Sequence, residues 1–195
     1  GRDIISEMAA RGYEVALSPE ALAAADRLPV LGLLADLELP VALKRGDLYR
    51  DMVSHGLSLL SSSSSASSAA SSAVSESSAS GFVMVLEGSC IDDWSHAGRL
   101  DLAMEELLDF DRTVGDVLEW AAADGHTLVV VTADHATGAL TLRGGDLNEG
   151  RIEAVFGSDS HNGIAVPYFV YGPGSDRFGG VMENSALSAL LASFL

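Results

Sequence analysis

Apolar and polar positions along this chain recur in two rhythms, one helical and one extended, and they alternate often enough to predict a mixed α/β domain. Residues 3–11 carry helical spacing and stop at Gly12. Tyr13–Leu17 reads as a short strand. Ser18 and Pro19 supply an N-cap and a first helical residue for a helix over Glu20–Arg27, which Pro29 closes. Val30–Leu34 is a second apolar strand. Leu48, Met52, His55 and Leu59 fall near helical spacing and predict an amphipathic helix over 46–60. His55 has no other ligand type near it and is read as structural or surface.

Residues 61–80 are nearly all Ser and Ala, broken by Val74 and Glu76. With so little apolar bulk the tract predicts a flexible loop within a single domain spanning 1–195. Phe82–Leu86 then has the composition of a buried strand. Leu100–Ala123 is the longest helical pattern, its apolar stripe made of Leu100, Ala103, Met104, Leu107, Val114, Val117, Leu118 and Ala121, and Gly125 ends it. Leu128–Thr132 is a β-branched run of the kind buried on both faces of a parallel sheet. A polar, Gly-rich loop is expected over 143–151, a strand over Ala165–Tyr171 and a closing helix over 183–195. Strands alternating with helices predict an α/β fold with a mostly parallel sheet.

Composition narrows the function. Nearly half of the 195 residues are apolar, which fits a globular chain. No apolar run approaches the roughly 20 residues of a membrane span, so no membrane partner is expected. The net charge of −17 argues against nucleic acid, whose phosphates require a basic face. The single cysteine, Cys90, excludes an internal disulfide.

Chemistry-bearing residues cluster where apolar runs end. Glu87, Asp92, Asp93 and His96 follow Phe82–Leu86, and Asp134-His135 follows Leu128–Thr132. His161 stands just before the last strand. Strand ends are where open α/β sheets collect ligands and catalytic groups. Mixed carboxylate and imidazole donors suit Zn²⁺, and carboxylate with water suits Mg²⁺. Asp93 is read as a solvated neighbour and His126 as a surface residue.

These stretches resemble the motifs of the alkaline phosphatases. Glu87-Gly88-Ser89-Cys90-Ile91-Asp92, with His96 four residues on, is similar to the family's Glu-Gly-Ser-x-Ile-Asp-x-x-x-His pattern. Thr127–His135, followed by Thr137-Gly138, resembles its second metal motif, and His161-Asn162-Gly163 resembles its His-Thr-Gly element. Leu107–Val114 is similar to the helix between them. The likeness spans nearly the whole chain apart from the Ser/Ala tract. Asp93-Trp94-Ser95 and Ala136 depart from the family's usual Trp-Gly-Gly and Glu.

The resemblance implies an alkaline phosphatase-like fold and the C-terminal half of a phosphate monoester hydrolase that uses two zinc ions and magnesium. It implies that Asp92, His96 and His161 hold the first zinc, that Asp134 and His135 contribute to the second, and that Glu87 contributes to magnesium. No stretch matches the family's nucleophilic serine or its phosphate-binding arginine, so no catalytic residue is assigned here. The serines of 61–80 lack an adjacent activating group and do not replace it. The chain alone is therefore expected to bind about one zinc and to be nearly inactive. Resemblance further implies a homodimer or pairing with a separate N-terminal half, and a periplasmic or extracellular setting. Two other readings remain open: another hydrolase of the same superfamily (phosphodiesterase, sulfatase or phosphomutase), and a non-catalytic metal-binding or assembly module.

Overall fold

Local capping fixes the first elements. Asp3 accepts from the Ser6 backbone N–H and opens α1, Ile4–Ala10; β1 follows as Glu14–Ala16. The Ser18 side chain accepts from the Ala21 N–H, so α2, Pro19–Ala24, starts where the sequence places it. β2, Val30–Gly32, pairs with β1 in parallel, with Glu14 opposite Val30. α3, Ala42–Arg45, leads into α4, Leu48–Ala69. This computed structural model describes residues 1–69 and 81–195, which form two compact units, Gly1–Glu87 and Gly88–Leu195.

In the first unit α1 and α2 pack on β1, and α2 also meets α4. Ala16, Ala25, Val53 and Leu57 are its buried apolar residues. Leu48, Met52, His55 and Leu59 are only half-buried, because α4 turns Val53 and Leu57 inward. The helix also runs through the start of the Ser/Ala tract, correcting the loop expected over 61–69. Alanine is the strongest helix former, and a serine hydroxyl in a helix can bond to a backbone carbonyl of the preceding turn. Ser61 Oγ donates to the Leu57 carbonyl at 2.7 Å and Ser63 Oγ to that of Leu60 at 2.8 Å. The remainder of the expected loop, 70–80, lies outside the described residues.

Phe82–Leu86 forms no strand. It alternates instead, with Phe82, Met84 and Leu86 half-buried while Val83 is 63% and Val85 87% exposed. A strand buried on both faces needs a ladder partner, and local composition does not specify one.

In the second unit α5, Cys90–His96, carries Asp92, Asp93 and His96 on a helix, and α6, Leu100–Asp124, packs against it. Gly125 ends α6 in the left-handed conformation, as its position predicts. The buried stripe of α6 differs from the expected one. Ala103, Glu106, Asp109, Thr113, Val117 and Ala121 face inward, whereas Leu107 is 45% exposed. The stripe is made largely of small and polar residues, so apolar identity alone misplaces it.

The strands of this unit are β3, Val129–Thr132; β4, Ala136–Thr137; β5, Thr141–Asp146; β6, Arg151–Val155; β7, His161–Asn162; and β8, Tyr168–Tyr171. β3 pairs with β8, β4 with β7 and β5 with β6, all antiparallel. Among the described residues only β1–β2 is parallel, which corrects the mostly parallel sheet expected. β3 is half-buried rather than enclosed on both faces. The loop expected over 143–151 is instead most of the β5–β6 hairpin. Its polar turn is closed by the Asp146 carboxylate, which accepts from the Asn148 N–H at 2.8 Å and the Glu149 N–H at 3.2 Å. Gly145 has φ +151°, and a Cβ there would lie 2.2 Å from the Arg151 carbonyl oxygen. Its glycine belongs to the hairpin, where composition suggested a loop. A 3₁₀ turn, Ser175–Arg177, and α7, Asn184–Ala192, complete the α/β architecture.

Candidate metal centre

Asp92 and His96 are four residues apart on α5, so they share one helix face, and His96 Nε2 lies 3.3 Å from Asp92 Oδ2. The third donor comes from the far side of the unit's sequence. The short β4–β7 ladder sets Thr137 opposite His161 and carries His161 to the α5 face. His161 Nε2 is 3.0 Å from His96 Nε2 and 3.7 Å from Asp92 Oδ2. Neighbouring ligands on a tetrahedral zinc, with bonds of roughly 2.0–2.1 Å, stand about 3.3 Å apart. The three donor atoms thus have the spacing and chemistry to hold such an ion.

Hydrogen bonds orient these donors. His96 Nδ1–H donates to the Asp159 carbonyl, which leaves the lone pair on Nε2, the atom facing the other two ligands. The Thr137 hydroxyl donates to Asp92 Oδ1, leaving Oδ2 toward the imidazoles. Burial pushes the Asp92 carboxyl up, but the Thr137 bond and the attraction of His96, His161 and His135 outweigh it and hold the group below its ordinary range. Asp92 is accordingly the ionised member of the set.

Beside this trio lies a pair. The β3–β4 loop presents Asp134 and His135, with His135 Nε2 3.2 Å from Asp134 Oδ2. The His135 backbone N–H donates to Asp134 Oδ1 at 3.0 Å and turns the other carboxylate oxygen toward the imidazole. The His135 ring stacks on that of His161, with centroids 3.5 Å apart and planes 22° from parallel. Five of the six candidate ligands are therefore gathered in the second unit. Glu87, the sixth, is an exposed residue at the end of the first.

Asp93 is exposed, as expected of a solvated neighbour. His126 is also exposed, and its backbone N–H donates to Asp124. Two contributors escaped the reading of the sequence. Thr137 was noted only as part of a motif, although its spacing from His135 hints that both can face one site from a strand end. The Asp159 carbonyl carries no sequence signal, because any residue supplies one. Gly138 closes the loop behind them. At φ +72° it is buried, and a Cβ would lie 2.6 Å from the Phe156 ring and 3.0 Å from the Ser95 carbonyl oxygen.

The alkaline phosphatase family profile matches residues 1–152. Alkaline phosphatase 4 of Bacillus subtilis is 32% identical over a stretch covering 72% of this chain and 28% of that protein. Alkaline phosphatase H of Pseudomonas aeruginosa is 29% identical, covering 96% of this chain and 46% of that protein. The alkaline phosphatase of the Antarctic bacterium TAB5 superposes with a TM-score of 0.72 at 27% identity, covering 91% of this chain and 50% of that one, and a variant of it carries Mg in its M3 site. The chain thus spans half or less of the length of these relatives. With profile, relatives and architecture in agreement, the chain belongs to the alkaline phosphatase family.

Proposed function

We propose that this chain is the zinc-binding half of a metal-dependent phosphatase that hydrolyses phosphate monoesters. The convergence of Asp92 Oδ2, His96 Nε2 and His161 Nε2 at 3.0–3.7 Å carries the reading. In this assignment those three residues hold the first zinc, Asp134 and His135 supply part of a second zinc site, and Glu87 supplies part of a magnesium site. Magnesium in the TAB5 variant supports the third metal. Bound metal ions supply Lewis acidity and an activated water to phosphoryl transfer.

This chain's own residues do the orienting. The Asp159 carbonyl holds His96 in one tautomer, and the Thr137 hydroxyl aims Asp92. The donors lie at the surface, where a phosphate monoester can reach them: side-chain exposure is 38% for Asp92 and for His96, and 50% for His161. In a chain of net charge −17, a locally positive metal centre would let a phosphate approach. A homodimeric or two-part assembly and a periplasmic or extracellular setting belong to the same proposal through family membership. Among the described residues no helix is long and apolar enough to cross a membrane.

Metal analysis after zinc loading and dialysis tests the assignment. About one zinc per chain is expected, together with negligible turnover of a phosphate monoester. A metal-free chain after that treatment overturns the zinc site, and efficient turnover overturns the absence of a nucleophile.

A further inference from the structure

The segment that delivers His161 is tied to α5 through one backbone. Gly138 follows Thr137 at the end of β4, is buried, and has φ +72°. Its N–H donates to the Ser160 carbonyl at 3.1 Å, and its carbonyl accepts from the Gly157 and Ser158 N–H groups at 2.9 and 3.1 Å. These three bonds bracket Asp159, whose carbonyl meets His96 Nδ1, and they end one residue before His161. On another side Gly138 lies against α5, where a Cβ would stand 3.0 Å from the carbonyl oxygen of Ser95, the residue before His96. The Phe156 ring closes a third side, 2.6 Å from that Cβ position.

We propose that Gly138 is a positioning residue whose backbone sets the spacing between α5 and the 157–161 segment, and so between Asp92, His96 and His161. The β4–β7 ladder is only two residue pairs long, and so short a pairing is marginal by itself. Gly138 adds three hydrogen bonds at the point where that ladder ends. Left-handed backbone alone does not require a glycine here, since Ala139 beside it has φ +46°. The close approach of Ser95 and Phe156 does require it. A phenyl ring can turn aside, but the Ser95 carbonyl belongs to the α5 backbone and moves only with the helix that carries His96. A methyl group at 138 therefore wedges the two ligand-bearing segments apart.

The consequence for zinc rests on the metal assignment above, but the consequence for the segment does not. Gly138→Ala is compared with Gly125→Ala, where φ is +74° and a Cβ would meet nothing within 4 Å. Both changes strain the backbone alike, so both should lower the urea midpoint. In the metal-free chain, amide hydrogen exchange at 138, 157 and 158 should quicken relative to α6 by about tenfold in Gly138→Ala, the worth of one hydrogen bond, and not in Gly125→Ala. Zinc affinity by chelator competition should fall about 10–100-fold in Gly138→Ala, the range for loss of an outer-shell partner, and hold its parent value in Gly125→Ala. Gly157→Ala is a milder wedge in the same joint, its Cβ 3.3 Å from that of Ala139, and should give the same pattern at smaller size. It decides the matter if circular dichroism shows Gly138→Ala unfolded. Unchanged relative exchange in the wedge variants, or zinc held as tightly as by the parent, overturns the proposal. So does an equal loss of zinc affinity in Gly125→Ala, because stability alone then accounts for it. If the parent holds no zinc yet the exchange shifts, the metal assignment fails while the positioning role stands.

Discussion

The trio Asp92–His96–His161 and the pair Asp134–His135 are built by the same means but to different degrees. In each, a backbone group or hydroxyl occupies one carboxylate oxygen and leaves the other facing an imidazole Nε2. The trio draws its donors from a helix and a strand, and Asp92 has a side chain only 38% exposed. The pair comes from adjacent loop residues, and Asp134 is 86% exposed. Two adjacent donors cannot surround an ion, and a carboxylate that open to water gives up less on losing its partner. The difference teaches that ligand identity is not enough; separate elements must converge for a site to close.

The largest expected effect removes a member of the trio. His96→Ala should weaken zinc binding by more than about 100-fold, beyond what an outer-shell partner contributes, as read by chelator competition. A change of only a few-fold would erase the distinction between trio and pair. Asp134→Ala is the matched change in the pair. The same titration should show binding of the proposed zinc weakened by less than about tenfold, below that outer-shell range. A loss as large as that of His96→Ala would place the ion between the two sets instead.

The smallest effect lies outside both and calibrates them. Asp124 accepts from the Thr127 hydroxyl at 2.7 Å and from the His126 N–H at 3.1 Å, tying the end of α6 to the approach to β3. The Thr127 bond, chiefly, holds its carboxyl below the ordinary range. Asp124→Ala should cost about 0.5 kcal/mol at neutral pH, a modest value because the group is exposed and solvent-screened. Since the folded-state value is the lower one, the parent's advantage is complete above the ordinary carboxylate value of about 3.9. It fades as pH falls through the lowered folded-state value. Urea unfolding of both proteins across that window checks it, and zinc affinity should not change.

Much of the helical part of this fold was legible from the sequence, because caps are local. Ser18, Pro19 and Gly125 each act within one turn of their own position and stand where expected. The Ser/Ala tract misled, since low apolar content does not prevent a helix from forming, and α4 continues through Ala69. The strands were less legible. Phe82–Leu86 and Leu128–Thr132 have similar apolar character, yet only the second forms a strand, paired with β8, because ladder partners are chosen over long distances. The β5–β6 hairpin hid behind a Gly-rich polar composition whose glycine at 145 permits close approach to the Arg151 backbone.

The candidate site divides in the same way. The sequence by itself supplied the candidate donors, Glu87, Asp92, His96, Asp134, His135 and His161, in motifs that resemble those of the family. It also determined that Asp92 and His96 would share a face once α5 formed, since four residues make about one helical turn. Tertiary structure alone decided that His161, 65 residues beyond His96, would complete the set. It also chose a threonine hydroxyl and a backbone carbonyl to orient it. Those choices depend on the β4–β7 ladder and on proton directions across it, and hydrogen bonds between distant segments leave no periodic trace in the chain that makes them.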